Sequence, residues 1–154
     1  MEWITKLHGT IVGLDTAPLI YFVEEHPVYL PFIDPFFEAV ERGDIQVVTS
    51  TLTLTEALVH PYRHGNRGLA QQYSRILLNS RNLKTLPVSA EIATEAARIR
   101  ATYGLKTPDS IQLATAQMGQ ATAFLSNDDG LTTIPGLELI LLDHLFSRSG
   151  GAGT

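Results

Sequence analysis

Four acidic residues, spread over most of the 154-residue chain, have types and positions suited to binding a metal ion: Asp15, Glu56, Asp109 and Asp128. Asp15 directly follows a short apolar run, and Asp128 lies three residues after the end of another; we interpret both runs as buried strands. Asp109 lies in the first turn of a predicted helix. Because the carboxyl ends of the strands in an open α/β sheet meet at one edge, where such folds bind ligands, we expect these acids to lie close together.

The chemistry of such a cluster follows from its charge. Carboxylates that are brought together repel one another, so the cluster needs bound cations or shared protons. No cysteine is present and no histidine lies in these motifs, so oxygen ligands favour a hard cation, Mg²⁺ or Mn²⁺. A bound water becomes a better nucleophile, and a second ion about 3.5–4 Å away would hold the leaving oxygen. The implied reaction is hydrolysis of a phosphodiester bond.

Each acid also has an ordinary structural explanation. Asp15 suits the N-cap of the helix that follows it, and Asp109 suits a helix start because of the helix dipole. The sequence from Asn127 to Gly130 is a common turn composition. Only the combination of acids at several element ends indicates a site.

The positions of short apolar runs and of helical periodicity predict the fold class. Strands are predicted at 10–14, 45–48, 83–88, 121–125 and 138–142. Helices are predicted at 18–24, from 27 to about 42, and at 51–62, 66–78, 89–103 and 107–119. This alternation predicts an α/β fold, a parallel sheet covered by helices on both faces. We expect a single domain over 1–146 and a flexible tail over 147–154.

Composition narrows the class of protein. The hydrophobic fraction of 44% and the charged fraction of 18% are ordinary for a globular domain, and the lack of cysteine excludes disulfides, cysteine nucleophiles and zinc–thiolate sites. No apolar run approaches the roughly 20 residues that span a bilayer, and the N-terminus lacks a signal-peptide pattern. We therefore expect a cytoplasmic protein with no membrane contact.

Two smaller patterns concern possible ligands. His60 and His64 are four residues apart, as in some zinc sites, but Pro61 and Gly65 argue against the regular helix that this spacing needs. Residues 60–106 hold eight basic and two acidic residues, whereas the rest holds three basic and fourteen acidic ones. This asymmetry suits a basic phosphate-facing surface beside an acidic pocket, although solvated helix faces explain it equally well. The candidate phosphate contacts are Arg63, Arg67 and Arg75.

The ordered motifs of the chain resemble those of PIN-domain ribonucleases, and among them the VapC toxins of toxin–antitoxin pairs. The matching segments are Leu14-Asp15-Thr16 with Pro18-Leu19-Ile20-Tyr21, Thr55 to Pro61, Leu105 to Ala114, and Phe124 to Asp128. The resemblance spans about residues 11–142, nearly the whole predicted domain. No single motif is specific, but four in this order at similar spacings are fairly strong support.

The resemblance implies a PIN-like α/β/α sandwich with a central parallel sheet, and a ribonuclease that uses Mg²⁺ or Mn²⁺. The four residues that it implies as catalytic and metal-binding are Asp15, Glu56, Asp109 and Asp128. Thr16, Ser126 and Asn127 are expected to support them, and the three arginines become candidate RNA contacts. The chain departs from the pattern at Asp129, where relatives often have a basic residue, so Asp129 is given no role.

The resemblance also implies partners. A VapC-like toxin is held by an antitoxin whose C-terminal segment covers the active site, often with an arginine among the acids. Relatives commonly form homodimers through the helices after the first two strands. We therefore expect an RNA substrate, a cognate antitoxin and a homodimer.

Three other classes of protein share part of this pattern. A haloacid-dehalogenase-like phosphatase needs a second aspartate two residues after Asp15, where Ala17 stands. A receiver-type domain needs an acid pair near the first strand and a late lysine, and neither is visible. A PIN-like RNA-binding or assembly module without a toxin role remains the alternative, and metal titration separates it from an enzyme.

Overall fold

Five strands and eight helices make up the part of the chain that the computed structural model describes, residues 1–146. The tail expected at 147–154 lies outside the described residues. The strands are β1 (Ile11–Leu14), β2 (Gln46–Ser50), β3 (Leu83–Leu86), β4 (Ala123–Ser126) and β5 (Glu138–Leu141). The helices are α1 (Glu2–Thr5), α2 (Thr16–Val23), α3 (Leu30–Arg42), α4 (Thr51–Arg63), α5 (Arg67–Asn79), α6 (Ala90–Tyr103) and α7 (Thr107–Met118). Residues 142–146 form the short helix α8.

All five strands are parallel and lie in the order β3-β2-β1-β4-β5. The predicted α/β class with a parallel sheet is therefore confirmed. The first strand lies at the centre, and its last residue, Leu14, is paired with Leu125 of β4. The residues that follow this pair, Asp15 and Ser126, therefore emerge side by side at the carboxyl edge of the sheet.

Helices cover both faces of the sheet because successive strand residues point to opposite sides. On one face, Val47 and Leu125 pack into a core with α2, α3, α4 and α5. On the other face, their neighbours Val48 and Phe124 pack into a second core with α6 and α7. The central strands are therefore apolar on both sides, which explains why they are continuous apolar runs in the sequence.

The helix α7 lies unusually close to β1. A Cβ atom on Gly13 would be 2.6 Å from Ala116 Cβ and 2.8 Å from Phe124 Cδ1, so only glycine fits at this position without movement. Small residues on both elements thus set how near α7, which carries Asp109, comes to the strand that carries Asp15.

The structure differs from the sequence-based expectation at three helices. The four-residue α1 was not predicted, because so short a helix shows no periodicity. The helix α7 begins at Thr107 as predicted, but it ends at Met118, one residue before the predicted end, and its N-cap is Lys106. The helix α4 continues through the buried Pro61 to Arg63, so this proline removes one backbone donor without ending the helix. Across residues 1–146, no helix is both long enough and apolar enough to cross a membrane.

Candidate active site

Asp15 is held at both carboxylate oxygens. It follows β1 and is the N-cap of α2, where its Oδ1 accepts a hydrogen bond of 2.9 Å from Thr16 N. Its Oδ2 accepts one of 2.7 Å from Ser126 Oγ, at the end of the neighbouring β4. Asp15 is therefore both the N-cap of α2 and a member of the acidic cluster. The two hydrogen bonds hold its carboxylate in one orientation.

Ser126 also connects Asp15 to the loop that carries Asp128. Its buried hydroxyl accepts a hydrogen bond of 3.0 Å from Asp128 N while it donates to Asp15. Asp128 itself is exposed, and its Oδ1 accepts a hydrogen bond of 2.9 Å from Gly130 N. The segment from Asn127 to Gly130 therefore forms a turn, as its composition predicts. This turn places the carboxylate of Asp128 at the carboxyl edge of the sheet.

Glu56 is brought to the same edge by α4. It is exposed, and its Oε1 accepts a hydrogen bond of 2.6 Å from Thr16 Oγ1, forty residues away in the sequence. Thr16 is thus held between two acids, with its backbone N–H on Asp15 and its hydroxyl on Glu56.

Asp109 lies in the first turn of α7 and is half-buried. Burial raises the pKa of its carboxyl group, and the negative charges of Asp128, Asp15 and Glu56 raise it further, whereas Lys106 opposes them. The three other candidate acids are therefore all near enough to Asp109 to affect its ionisation.

The pKa of Asp15 is raised as well. Burial is the largest cause, the hydrogen bonds from Ser126 and Thr16 oppose it, and the charges of Glu56 and Asp128 add to it. Among residues 1–146, none of the four acids has a Lys, Arg or His nitrogen within 4.0 Å. Within the described range, the four acids therefore form no ion pair, and Lys106 acts on Asp109 only from a longer distance.

The donor set fits a hard divalent cation in charge and in ligand type, because all its ligating atoms are carboxylate oxygens. As the side chains are placed, no three His, Asp or Glu residues in the described range form a group that could hold a metal ion. Mg²⁺ keeps several of its waters and needs few carboxylates, so a gathered but open set of acids suits it.

Asn127, expected to support the acids, instead holds the loop to other elements. Its Nδ2 donates to Tyr21 Oη at 3.3 Å, and its Oδ1 accepts from Asp143 N at 2.9 Å. Tyr21 stacks on Tyr29 with ring centroids 4.4 Å apart, and Tyr29 donates a hydrogen bond to the Asp143 carboxylate. Asn127 therefore anchors the Asp128 loop to α2 and α8.

The structure separates the three candidate arginines, which are all exposed. Arg67 and Arg75 line an open groove of about 480 Å³ on α5, together with Tyr62. Arg63 does not line that groove; it stands seven residues after Glu56 on α4, on the same side of the helix. Only Arg63 thus shares a helix face with one of the four acids.

The two histidines considered as zinc ligands contact each other. The rings of His60 and His64 lie 4.2 Å apart, and His64 Nδ1 is 3.0 Å from His60 O. Such a pair does not present two nitrogens to one ion, so the structure gives no support to a zinc site here.

Sequence reasoning missed a set of buried polar side chains beneath the acids: Thr49, Ser50, Thr53 and Gln112. Two of them had a recognisable signal. Thr53 comes three residues before Glu56 and Gln112 three residues after Asp109, so each shares a helix face with an acid.

Comparisons with known proteins agree with this architecture. The family model described as PIN domain matches residues 12–137. Among the curated proteins, none matches the chain. The solved structure of VapBC2 from Rickettsia felis, bound to a promoter DNA fragment, is similar to this chain with a TM-score of 0.66 at 18% identity. That similarity covers 85% of this chain and 98% of the other.

Two further solved structures are similar. VapC20 from Mycobacterium tuberculosis, described as a sarcin-ricin loop cleaving toxin, has a TM-score of 0.63 at 14% identity, over 92% of this chain and 95% of that one. FitAcB from Neisseria gonorrhoeae has a TM-score of 0.60 at 17% identity, over 87% and 99%. At these identities the similarity concerns the fold.

Proposed function

Because this chain belongs to the PIN domain family, we propose that it is a metal-dependent endoribonuclease with Asp15, Glu56, Asp109 and Asp128 in its active site. The observation that carries this proposal is the gathering of four carboxylates at one sheet edge, with no positive partner within 4.0 Å among the described residues. The pKa values of Asp15 and Asp109 are raised by burial first and by the neighbouring acids second, and a bound divalent cation would favour the ionised form of both carboxyl groups.

In this proposal, Asp15, Asp109 and Asp128 hold Mg²⁺ or Mn²⁺, and Glu56 ligates it or orients the attacking water. The bound metal supplies a water of lowered pKa and stabilises charge on the phosphate. Thr16 and Ser126 keep the Asp15 carboxylate in one orientation, so little reorganisation is needed when the metal binds.

We propose RNA as the substrate and a cognate antitoxin as the partner. The resemblance to VapC toxins of toxin–antitoxin pairs supports an antitoxin, and the description of VapC20 as a cleaving toxin supports RNA cleavage. An antitoxin residue such as arginine would neutralise the acids through charge-assisted hydrogen bonds. A homodimer and a cytoplasmic location are proposed on the same resemblance.

Arg63 is a proposed RNA contact because it lies on the Glu56 side of α4. Arg67 and Arg75 would bind a more distant part of the RNA in their groove. The alternative function, an RNA-binding or assembly module without catalysis or toxin role, uses the same basic residues but does not need the four acids.

The proposal is tested by incubating purified protein with a panel of structured RNAs in Mg²⁺, Mn²⁺ or EDTA. The double variant Asp15→Asn/Asp109→Asn should lose cleavage, and Asp129→Asn, which changes a neighbouring acid outside the set, should keep it. Cleavage in EDTA, or by the double variant, would contradict the mechanism. RNA binding without cleavage, by protein that binds no Mn²⁺, would favour the binding module.

A further inference from the structure

A continuous path of hydrogen bonds runs beneath the acids from α7 to β1. Gln112 Nε2 donates to Thr53 Oγ1 at 2.7 Å, and Ser50 Oγ donates to Gln112 Oε1 at 2.8 Å. Thr53 Oγ1 lies 2.8 Å from Thr49 Oγ1, which donates to Leu14 O at 2.9 Å. One path thus touches α7, α4, β2 and β1.

The direction of every bond in this path is determined. Thr49 has one hydroxyl proton, and the carbonyl of Leu14 accepts it, so Thr53 must donate to Thr49. Thr53 in turn accepts from the amide of Gln112. Because Gln112 uses its N–H on one partner and its oxygen on the other, a carboxylate at this position, which has no donor, could not replace it.

The path is shielded from water, so its bonds are not exchanged for bonds to solvent. Ser50 and Thr53 are fully buried, and Gln112 is 3% exposed. Hydrogen bonds in such surroundings favour one arrangement of the groups that they join. Ser50 is also the N-cap of α4, since its hydroxyl accepts from Leu52 N at 3.1 Å. The side chain of Ser50 therefore connects the start of α4 to Gln112 on α7.

The elements that the path joins are those that carry the acids. Gln112 is one helical turn after Asp109 on α7, and Thr53 is one turn before Glu56 on α4. The opposite end of the path is the carbonyl of Leu14, immediately before Asp15. We propose that Gln112 is a positioning residue of the metal site, because it fixes the spacing between Asp109 and Glu56.

This inference rests on the proposed function, and it is tested with a variant that keeps the volume of the side chain. Gln112→Met removes the donor and the acceptor but fills the same space. Mn²⁺ affinity, measured by electron paramagnetic resonance of the free ion, should fall about 10- to 100-fold, as it does when groups that orient metal ligands are removed. Melting curves in EDTA establish that the variant is folded.

Thr115→Val is the matched control. Thr115 lies on the same helix and is fully buried, but its hydroxyl bonds to Ile111 O within α7. We expect this variant to lose one buried hydrogen bond and to keep wild-type Mn²⁺ affinity. A similar loss in both variants would mean that any weakening of α7 disturbs the site, which would overturn the specific role of Gln112.

A second pair of variants decides the matter if Gln112→Met does not fold. Thr53→Val removes the hydroxyl that accepts from Gln112, and Thr53→Ser keeps it. We expect weaker Mn²⁺ binding in the first and near wild-type binding in the second. Equal affinity in the two variants would overturn the inference.

The two proposals fail in distinguishable ways. Wild-type protein that binds no Mn²⁺ would overturn the metal site, and the positioning role with it. Wild-type protein that binds Mn²⁺, beside a folded Gln112→Met variant that binds it equally well, would overturn the positioning role alone.

Discussion

Ser126 Oγ donates a hydrogen bond of 2.7 Å to Asp15 Oδ2, across the central pair of strands. The same oxygen accepts from Asp128 N at 3.0 Å, so the hydroxyl has no free orientation. Two candidate metal ligands, 113 residues apart in the sequence, thus depend on one buried serine.

We expect Ser126→Ala to weaken Mn²⁺-dependent cleavage about 10- to 100-fold, because Asp15 loses the donor that orients it. The free energy of unfolding should fall by roughly 1–3 kcal/mol, since Asp128 N loses its buried partner. Cleavage rates over a range of Mn²⁺ concentrations measure the first effect, and denaturant curves the second. The control is Ser110→Ala, since this buried hydroxyl bonds to Lys106 O within α7; equal loss of activity there would contradict the prediction.

The hydroxyl of Thr16 holds Glu56, and its substitution should separate the effects on turnover and on binding. In Thr16→Val the Glu56 carboxylate loses its donor, so we expect kcat to fall about tenfold or more, while KM for RNA changes little. Thr16→Ser keeps the hydroxyl and should keep kcat. Steady-state kinetics of both variants test this, and equal kcat in the two would show that the hydroxyl is not needed.

The raised pKa of Asp109 predicts how stability changes with pH. Because its folded-state pKa lies above the unfolded one, the Asp109 carboxyl binds more protons in the native state between the two values, so its contribution to stability falls as pH rises above about 4. Asp109→Asn removes this loss, so its Tm in EDTA at neutral pH should exceed that of the wild type. Its Tm should also vary less between pH 4 and pH 7.

With bound metal, the Tm of the wild type should exceed that of Asp109→Asn. Saturating Mn²⁺ stabilises the wild type because it binds the folded state, whereas Asp109→Asn should gain much less. Asp129→Asn serves as the control and should follow the wild type with and without metal. A wild-type Tm that exceeds that of Asp109→Asn in EDTA at pH 7 would contradict the expectation that the ionised Asp109 carboxylate destabilises the metal-free fold.

The close approach of α7 to β1 predicts opposite effects of alanine at two glycines. Gly13→Ala places a methyl group 2.6 Å from Ala116 Cβ, so we expect a loss of about 1–3 kcal/mol in unfolding free energy. Gly68 lies on α5, where the nearest atom to an added Cβ is Asn66 Oδ1 at 3.8 Å. Gly68→Ala should therefore gain about 0.4–1 kcal/mol. Urea denaturation of both variants measures this, and a neutral Gly13→Ala would show that α7 can shift.

The strands and the acids at their ends were predictable because their signals are local. The segments that contain β1 and β4 are continuous apolar runs, since they are buried on both faces, and an acid follows each within a few residues. Once the strands are taken as parallel, their carboxyl ends must lie at the same edge of the sheet, and so must the acids that follow them. The family resemblance supported the inclusion of Glu56, which lies inside a helix and follows no strand.

The supporting contacts were not predictable because they join residues far apart in the chain. Gln112 and Thr53 are ordinary helix residues until α7 and α4 meet, and the sequence does not show that they meet. Asn127 was expected near the acids for its position alone, but Tyr21 and Asp143 provide its partners. Arg63, Arg67 and Arg75 look alike in the sequence, and only the packing of α5 against α4 separates them.

The strand order has a consequence for the cell that makes this protein. The partner of β1 on one side is β4, which the ribosome synthesises more than 100 residues after β1 begins. Until β4 has emerged, Asp15 lacks Ser126, and Asp128 has not yet been made. Under the proposed function, the active site is therefore not assembled in a nascent or truncated chain that lacks β4 and Asp128.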